Sequence, residues 1–553
     1  MVNAVQALAV VLIIGVALVL AKLIAPYLVA VYNRKPSRLD KIFNPIENFI
    51  YKIIGVDTEQ TMGWKQYFLA ALYVNVAMII IAFLIMVFQG SLPLNPMHFP
   101  DIHPDLAFMQ AVSFTTNTDL QHYNGEAAFS FLSQTSVLGW LQFASPITGI
   151  CVGIAFIRGL IPTSKDMGNF YVDFTRSITR VFLPLAFVAS IVLLALGVPQ
   201  TLTGYATVKT IEGASQSILV GPVASMDAIM QLGTNGGGYY GANAAYPFMN
   251  PTQITDVIMI ALMLLLPLAM LFVFGEMIGK KRESIPLVGG ALILGGACLA
   301  LAFVPSLPAV GPGIETRFGG FMSSFWTVIT TMCTTGSVNA SLFGIHPLGI
   351  TSGFLGMFIQ SIPGGKGVGM MYMVMFVLIT VFVVGLMSGR TPEYLGVKIT
   401  GRDVLLVMVA FLLHPITILI PTVTAYASGA VAAIGVNGSS VGFTQILWEF
   451  TSAAANNGSD FLGASAQNSL FFNIATGIIM LIGRYGPILI LLALSGSMIG
   501  RKRTGTTTGL KTDTLLFTIV LVASIIILVV LSFFPFLAIG PLGSFFGGLK
   551  NGF

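Results

Sequence analysis

The stretch GTNGGGYYGANAAYPFMN, residues 233–250, is polar and dense in glycine, yet it belongs to a chain that is 55% hydrophobic. Only 8% of the 553 residues are charged, and the mean hydropathy is +0.89. Such a composition cannot provide a soluble globule with a solvated surface, so the chain reads as one integral membrane domain, residues 1–553. Non-helical backbone is tolerated at membrane depth only where protein buries it or where it lines a water-filled path. The stretch therefore predicts a loop inside a membrane protein, and its companions decide the fold.

A spanning helix needs about 20 mostly apolar residues. Ten such runs lie near 4–31, 66–89, 128–160, 178–198, 254–278, 286–306, 347–388, 403–425, 468–499 and 514–538. The first lacks a basic start and continues past Lys22, longer than a signal-peptide core, so a retained helix is expected. The loops after runs 1, 3, 5, 7 and 9, with their flanks, hold 20 of the 26 Lys and Arg residues. By the positive-inside rule, segments 32–63, 161–176, 279–285, 389–402 and 500–513 are expected in the cytoplasm and both termini outside. The net charge of +5 thus reads as orientation and not as a nucleic-acid surface. Cys151, Cys298 and Cys333 show no pairing or zinc spacing, and the five histidines are scattered, so no disulfide and no metal centre is expected on them.

On the opposite side, four short apolar stretches, 105–115, 222–232, 318–332 and 441–454, are too short to span and read as re-entrant half-helices. Each precedes a small polar run: TTNTD at 115–119, GTNGGG at 233–238, CTTGSV at 333–338 and NNGSD at 456–460. Aligned, they give Thr116-Asn117-Thr118, Thr234-Asn235-Gly236, Thr334-Thr335-Gly336 and Asn456-Asn457-Gly458, with third positions 118, 100 and 122 residues apart. This is an internal fourfold repeat. It predicts an all-α protein of about ten transmembrane helices, with four helix, pore-loop, helix units in pseudo-fourfold arrangement. The units are 64–160, 173–280, 285–390 and 402–500, flanked by an N-terminal helix and loop, 1–63, and a C-terminal helix, 512–538.

Four such loops meeting at one axis make a ring. Gly236, Gly336 and Gly458 can adopt positive φ, so carbonyls can turn inward and replace the hydration shell of a monovalent cation. The half-helices would aim their carbonyl ends at the same centre, which favours a cation. Asp119 and Asp460 follow the triplets and are expected as solvated mouth residues or as groups that concentrate cations. No carboxylate falls inside the triplets, which points away from a divalent filter.

With TTNTD, TNGGGYYGANAAYPFMNPT, ANNGSDF and GRTPEYLGVKI, the chain closely resembles the potassium-binding A subunits of bacterial Kdp-type potassium-transporting ATPases, within the superfamily of potassium transporters related to potassium channels. The resemblance covers essentially the whole chain. It implies binding of external potassium, the transported substrate, and its transfer to a catalytic P-type ATPase subunit, a partner in the bacterial cytoplasmic (inner) membrane. It also implies a further accessory subunit and room for a small single-helix subunit, amid membrane lipid. The filter then comprises Thr115, Thr116, Asn117 and Thr118; Gly233, Thr234, Asn235, Gly236 and Gly237; Cys333, Thr334, Thr335, Gly336 and Ser337; and Ala455, Asn456, Asn457, Gly458 and Ser459. No DKTGT phosphorylation motif and no phosphate loop occurs, so the chain is read as a non-catalytic translocating subunit that binds no ATP. The competing reading is a stand-alone potassium channel or an ion-coupled secondary transporter of the same fold.

Three further charges stand out. The seventh apolar run is too long for one crossing and is interrupted by IPGGKGVG at 362–369, which places Lys366 among Gly364, Gly365 and Gly367 at membrane depth. The resemblance implies a gating loop there, below the filter; a kinked helix with Lys366 paired to an acid or hydrated is the plainer reading. Arg484 lies inside the ninth run with no acid three or four residues away, and either faces the pore or an interface or reaches for the membrane edge. Arg390, at a helix end, reads as a structural tie or a contact with a partner subunit.

Overall fold

The computed structural model describes residues 4–161, 163–303, 312–501 and 511–551. Lys502 and Arg503, members of the basic loops, lie outside the described residues, as do the end of the sixth apolar run and most of segment 500–513.

Among the described residues, ten helices are long and apolar enough to cross a membrane: Ala4–Tyr32, Trp64–Val87, Ser133–Leu160, Phe170–Ala195, Gln253–Ile278, Lys281–Phe303, Val368–Met387, Gly401–Ala427, Leu470–Met498 and Leu515–Ile539. The expected seventh run is two pieces, Pro347–Ile359 and Val368–Met387, separated by the glycine-rich break. The four half-helices are Pro104–Thr115, Val223–Leu232, Gly319–Met332 and Ser440–Ala455, each within a residue or two of its expected bounds.

Burial separates the two spans of each unit. Over an apolar 18-residue stretch of each, the span after each half-helix is more buried than the one before it: 89% within Ser133–Leu160 against 28% within Trp64–Val87, and 72% within Val368–Met387 against 50% within Lys281–Phe303. The same order holds in the other two units. Both spans pack on the half-helix in units 1, 2 and 4, and the first spans turn more Leu, Ile, Val and Phe outward, as lipid contact demands.

Three features depart from expectation. Two short antiparallel hairpins, Tyr205–Lys209 with Ser215–Leu219 and Glu393–Tyr394 with Val397–Lys398, interrupt the all-α pattern. Within the expected loop 32–63, Asp40–Ile54 forms an amphipathic helix. Ile42, Ile46, Phe49 and Ile53 lie exposed along it, while Glu47 is buried, the geometry of a helix lying in a membrane interface. Glu47 accepts from Arg180 Nε at 2.6 Å and from Thr179 at 2.7 Å, and Asp40 pairs with Arg180 Nη1 at 2.5 Å, pinning the helix to Phe170–Ala195. The hydrogen bond to Arg180 holds the Asp40 carboxyl below the usual carboxylate range.

Candidate functional site

The four half-helices end at the four polar loops, and the same backbone pattern closes each. The N–H groups of Thr118, Asn235, Thr335 and Asn457 reach back five residues to the carbonyls of Ser113, Met230, Thr330 and Ser452, at 2.7–3.0 Å. The residue before each donor has positive φ: 63° at Asn117, 44° at Thr234, 49° at Thr334 and 50° at Asn456. Asn and Thr accept this left-handed geometry at a cost, which the convergent hydrogen bonds offset.

This pattern corrects the register of the first loop. Asn117-Thr118-Asp119, not Thr116-Asn117-Thr118, is equivalent to Thr234-Asn235-Gly236. Asp119, at φ 57°, stands where Gly336 (91°) and Gly458 (103°) stand in their loops, whereas Gly236 does not adopt positive φ. Asp119 is also fully buried and accepts from Gln142 Nε2 at 3.0 Å, so it is neither solvated nor beyond the triplet.

The loops meet. A Cβ on Gly236 would strike the Thr118 carbonyl oxygen, the Gly458 Cα and the Asn457 carbonyl oxygen at 2.6–2.9 Å. On Gly458 it would strike Thr118 O, and on Gly336 Asn457 O. Backbone of all four units therefore converges at one place, with the carbonyls of Thr118 and Asn457 against the glycines of neighbouring loops. Side chains stitch the ring: Asn117 Nδ2 donates to Thr234 O at 2.7 Å, Asn456 Nδ2 to Thr118 Oγ1 at 2.9 Å, and Asn457 Nδ2 to Thr330 O at 3.0 Å. Thr115 and Ala455 close their half-helices, and Gly233 and Cys333 cap the other two, at the inner end of each loop. Gly237 receives Gln142 through its carbonyl at 2.7 Å, and Ser337 and Ser459 accept from Trp326 and Trp448 Nε1 at 2.7 and 3.0 Å.

Beneath the ring lies the break between Pro347–Ile359 and Val368–Met387. Gly364 (φ 74°) and Gly367 (83°) turn the chain, and Lys366 projects upward, buried, its Nζ donating to Asn117 Oδ1 at 2.9 Å and Thr234 Oγ1 at 2.6 Å. Both partners are neutral oxygens of the ring. Gly365 lies against Thr334, where a Cβ would come within 2.8 Å of Oγ1. A cavity of about 20 Å³, room for about one water, is bounded by Lys366, Arg484, Asn117, Thr334 and Tyr372. Arg484 is thus buried on the pore side, and its partner comes from another helix, the Ser145 carbonyl at 2.9 Å from Nη2. Arg390 is exposed at the far end of Val368–Met387, about 30 Å from the loop at 1.5 Å per residue, in a cleft with Lys280 and Lys511.

Several ring residues escaped sequence reasoning. Gln142, Ser145, Gln121 and Asn243 contact the loops from elsewhere; Asn243 Nδ2, for instance, donates to Gly236 O at 2.7 Å. Trp326 and Trp448 carried a legible signal, each standing nine residues before the loop's central residue. The histidines are not uniformly incidental either: His122 is fully buried beside Glu449 and Asp460.

The family described as potassium-transporting ATPase A subunit matches residues 11–546. The potassium-transporting ATPase potassium-binding subunit of Alicyclobacillus acidocaldarius is 44% identical over 532 residues, 94% of each chain. Among solved structures, the potassium transporter TrkH from Vibrio parahaemolyticus superposes with a TM-score of 0.53 at 14% identity, over 89% of this chain and 98% of that one, a likeness of fold alone. A convergent fourfold ring of pore loops on this scaffold, and sequence identity along nearly the whole length, lead to one conclusion: the chain belongs to the potassium-transporting ATPase A subunit family.

Proposed function

We propose that this chain binds external potassium at the ring of the four loops and passes it to a P-type ATPase partner for ATP-driven uptake. The observation that carries the reading is the convergence of four backbone loops, each fed by the carbonyl end of a half-helix, directly above the buried amino group of Lys366. Carbonyl and amide oxygens replace the hydration shell of a monovalent cation, and the half-helix termini add partial negative charge. The filter residues are Asn117 to Asp119, Thr234 to Gly236, Thr334 to Gly336 and Asn456 to Gly458, with Thr115, Thr116, Gly233, Gly237, Cys333, Ser337, Ala455 and Ser459 framing them.

Lys366 and the glycines around it act as the barrier that stops straight passage. A fixed cation in a dry setting repels a permeating one strongly, which suits a subunit that diverts its ion to a partner and not a free channel. Arg484, facing the same cavity, adds a second positive charge. Arg390, remote from the ring, serves the partner-facing side. The basic loops support a cytoplasmic position for that side, with both termini outside, in the bacterial inner membrane. The catalytic ATPase subunit, an accessory subunit and a small single-helix subunit complete the complex, and the catalytic subunit handles ATP. The four units 64–160, 173–280, 285–390 and 402–500 are the pore repeats.

The test is ion-dependent ATP hydrolysis by the purified complex across monovalent cations, with this chain's Gly458→Ala variant alongside. Saturation by potassium at concentrations where sodium has no effect, lost in the variant, is expected; equal stimulation by sodium, or no change in the variant, would remove the assignment.

A further inference from the structure

On the outer side of the ring, His122, Glu449 and Asp460 bring one ring nitrogen and two carboxylates within 4.8 Å of one another. His122 follows the first loop, Asp460 follows the fourth, and Glu449 comes from the half-helix Ser440–Ala455. The imidazole is held in one orientation. Asn473 Nδ2 donates to Asp105 Oδ2 at 2.9 Å and to Gln467 O at 3.0 Å, which leaves Asn473 Oδ1 facing His122 Nδ1 at 2.7 Å. An amide oxygen only accepts, so Nδ1 carries hydrogen and Nε2 points at Glu449 Oε1, 2.9 Å away. A bare ring lone pair is not held that close to a carboxylate oxygen unless a proton or a metal ion stands between them.

A proton on Nε2 supplies one positive charge for two carboxylates. Among the described residues, no Lys or Arg lies within 4 Å of either carboxylate, and Glu449 Oε2, fully buried, accepts no hydrogen bond from an N–H or alcohol O–H donor. A divalent cation supplies both charges and a partner for that oxygen. We propose that His122, Glu449 and Asp460 form a binding site for a divalent transition metal of the zinc class at the outer face of the filter ring. The donor set suits that metal: one neutral imidazole and two carboxylates, with a hydrogen-bonded Asn473 behind the histidine fixing its tautomer as outer partners of metal-bound histidines do. Zinc bonds of about 2.0–2.2 Å place tetrahedral ligands about 3.3 Å apart, so the His122–Glu449 pair opens by a few tenths of an ångström on binding. The N–H groups of Leu462 and Gly463 donate to the two oxygens of Asp460, aiming the carboxylate and leaving each oxygen a second lone pair. Asp460 is the half-buried member, which provides the entry path and an open position for water. Bound metal ties the segment after the first loop to the fourth loop and so stiffens the outer entrance.

The test uses the full-length chain in its purified membrane complex, stripped with chelator and titrated with Zn²⁺ or Co²⁺ alone. One saturable equivalent per chain is expected, with the intense visible absorption of four-coordinate Co²⁺. His122→Gln and Asp460→Asn each weaken binding by about tenfold or more. Asp460→Cys, which keeps a ligand in place, retains Zn²⁺ and adds thiolate-to-cobalt absorption, so that loss of binding in the other two is told apart from a folding defect. This titration reads the site whether or not the four loops carry potassium. Absence of saturable binding to the unsubstituted chain, or equal binding by His122→Gln, overturns the proposal and leaves the proton as the occupant.

Discussion

The four outer loops and the inner loop around Lys366 both break helices at membrane depth, and all but the first outer loop contain glycine, yet they turn different groups toward the same axis. In the outer loops, the backbone N–H groups turn back into the half-helices, as Thr118 does to Ser113 and Asn457 to Ser452, and carbonyls such as those of Thr118 and Asn457 abut the neighbouring loops at the centre. In the inner loop, Gly364 and Gly367 turn the chain so that a side chain projects instead, and its ammonium docks on Asn117 and Thr234 of the ring above. Under the proposed function, partial negative charge from above draws a cation in, and the Lys366 side chain below opposes its leaving straight on. Loop composition alone does not separate these roles; the direction in which each loop turns its polar groups does.

The strongest way to break the comparison is to put a side chain into the outer ring. Gly458→Ala and Gly336→Ala impose left-handed strain of about 1–2 kcal/mol and drive a methyl into backbone of the next loop. Apparent potassium affinity, read from potassium-dependent ATP hydrolysis, should fall by more than about tenfold or discrimination against sodium should collapse. Next comes the inner loop. Deleting Gly364 to Gly367 should allow passive, ATP-independent potassium flux into proteoliposomes, and Lys366→Ala a milder leak, about tenfold for each 1.4 kcal/mol of barrier removed; a folded deletion that stays tight would place the barrier elsewhere. Arg484→Gln should have a smaller effect still, because its guanidinium is held by the Ser145 carbonyl and not by the ring. Combined with Lys366→Ala, the two changes should not add, since both charges face one cavity.

The smallest effect belongs far from the axis. Asp40→Asn should lower thermal stability by less than about 1 kcal/mol, since a partly exposed pair is screened, and should leave potassium affinity unchanged. The Asp40 carboxyl is held below its ordinary value, so its contribution is present above about pH 3.9 and is lost as the pH falls through the lowered value. An altered potassium affinity in this variant would show that the interfacial helix Asp40–Ile54 is coupled to the ring.

Much of this was legible in residue order. Apolar runs of spanning length, charge confined to alternate loops and four recurrences of a small polar triplet specify a membrane protein with four pore loops, because hydrocarbon permits few other arrangements of polar backbone. The half-helix bounds were likewise readable, since each ends where side chains become too polar to remain in an apolar stretch. The first loop was read one residue out of register. Matching Thr116-Asn117-Thr118 to Thr234-Asn235-Gly236 compares side-chain chemistry, whereas the loops are equivalent in their backbone bonds, and those put Asp119, a buried acid, at a glycine position. The helix Asp40–Ile54 was missed because its apolar residues are too few for a span and its one buried acid pairs with arginines more than a hundred residues away.

Sequence by itself therefore determined which segments enter the membrane and which break within it, for those follow from local hydropathy and from where glycine relieves the backbone. Tertiary structure alone decided which atoms those breaks present to one another: Lys366 to Asn117 and Thr234, Arg484 to Ser145, and His122 to Glu449 and Asp460. These pairs join residues between 132 and 339 positions apart. Their contact depends on how four repeats close around an axis, and no local propensity encodes that closure.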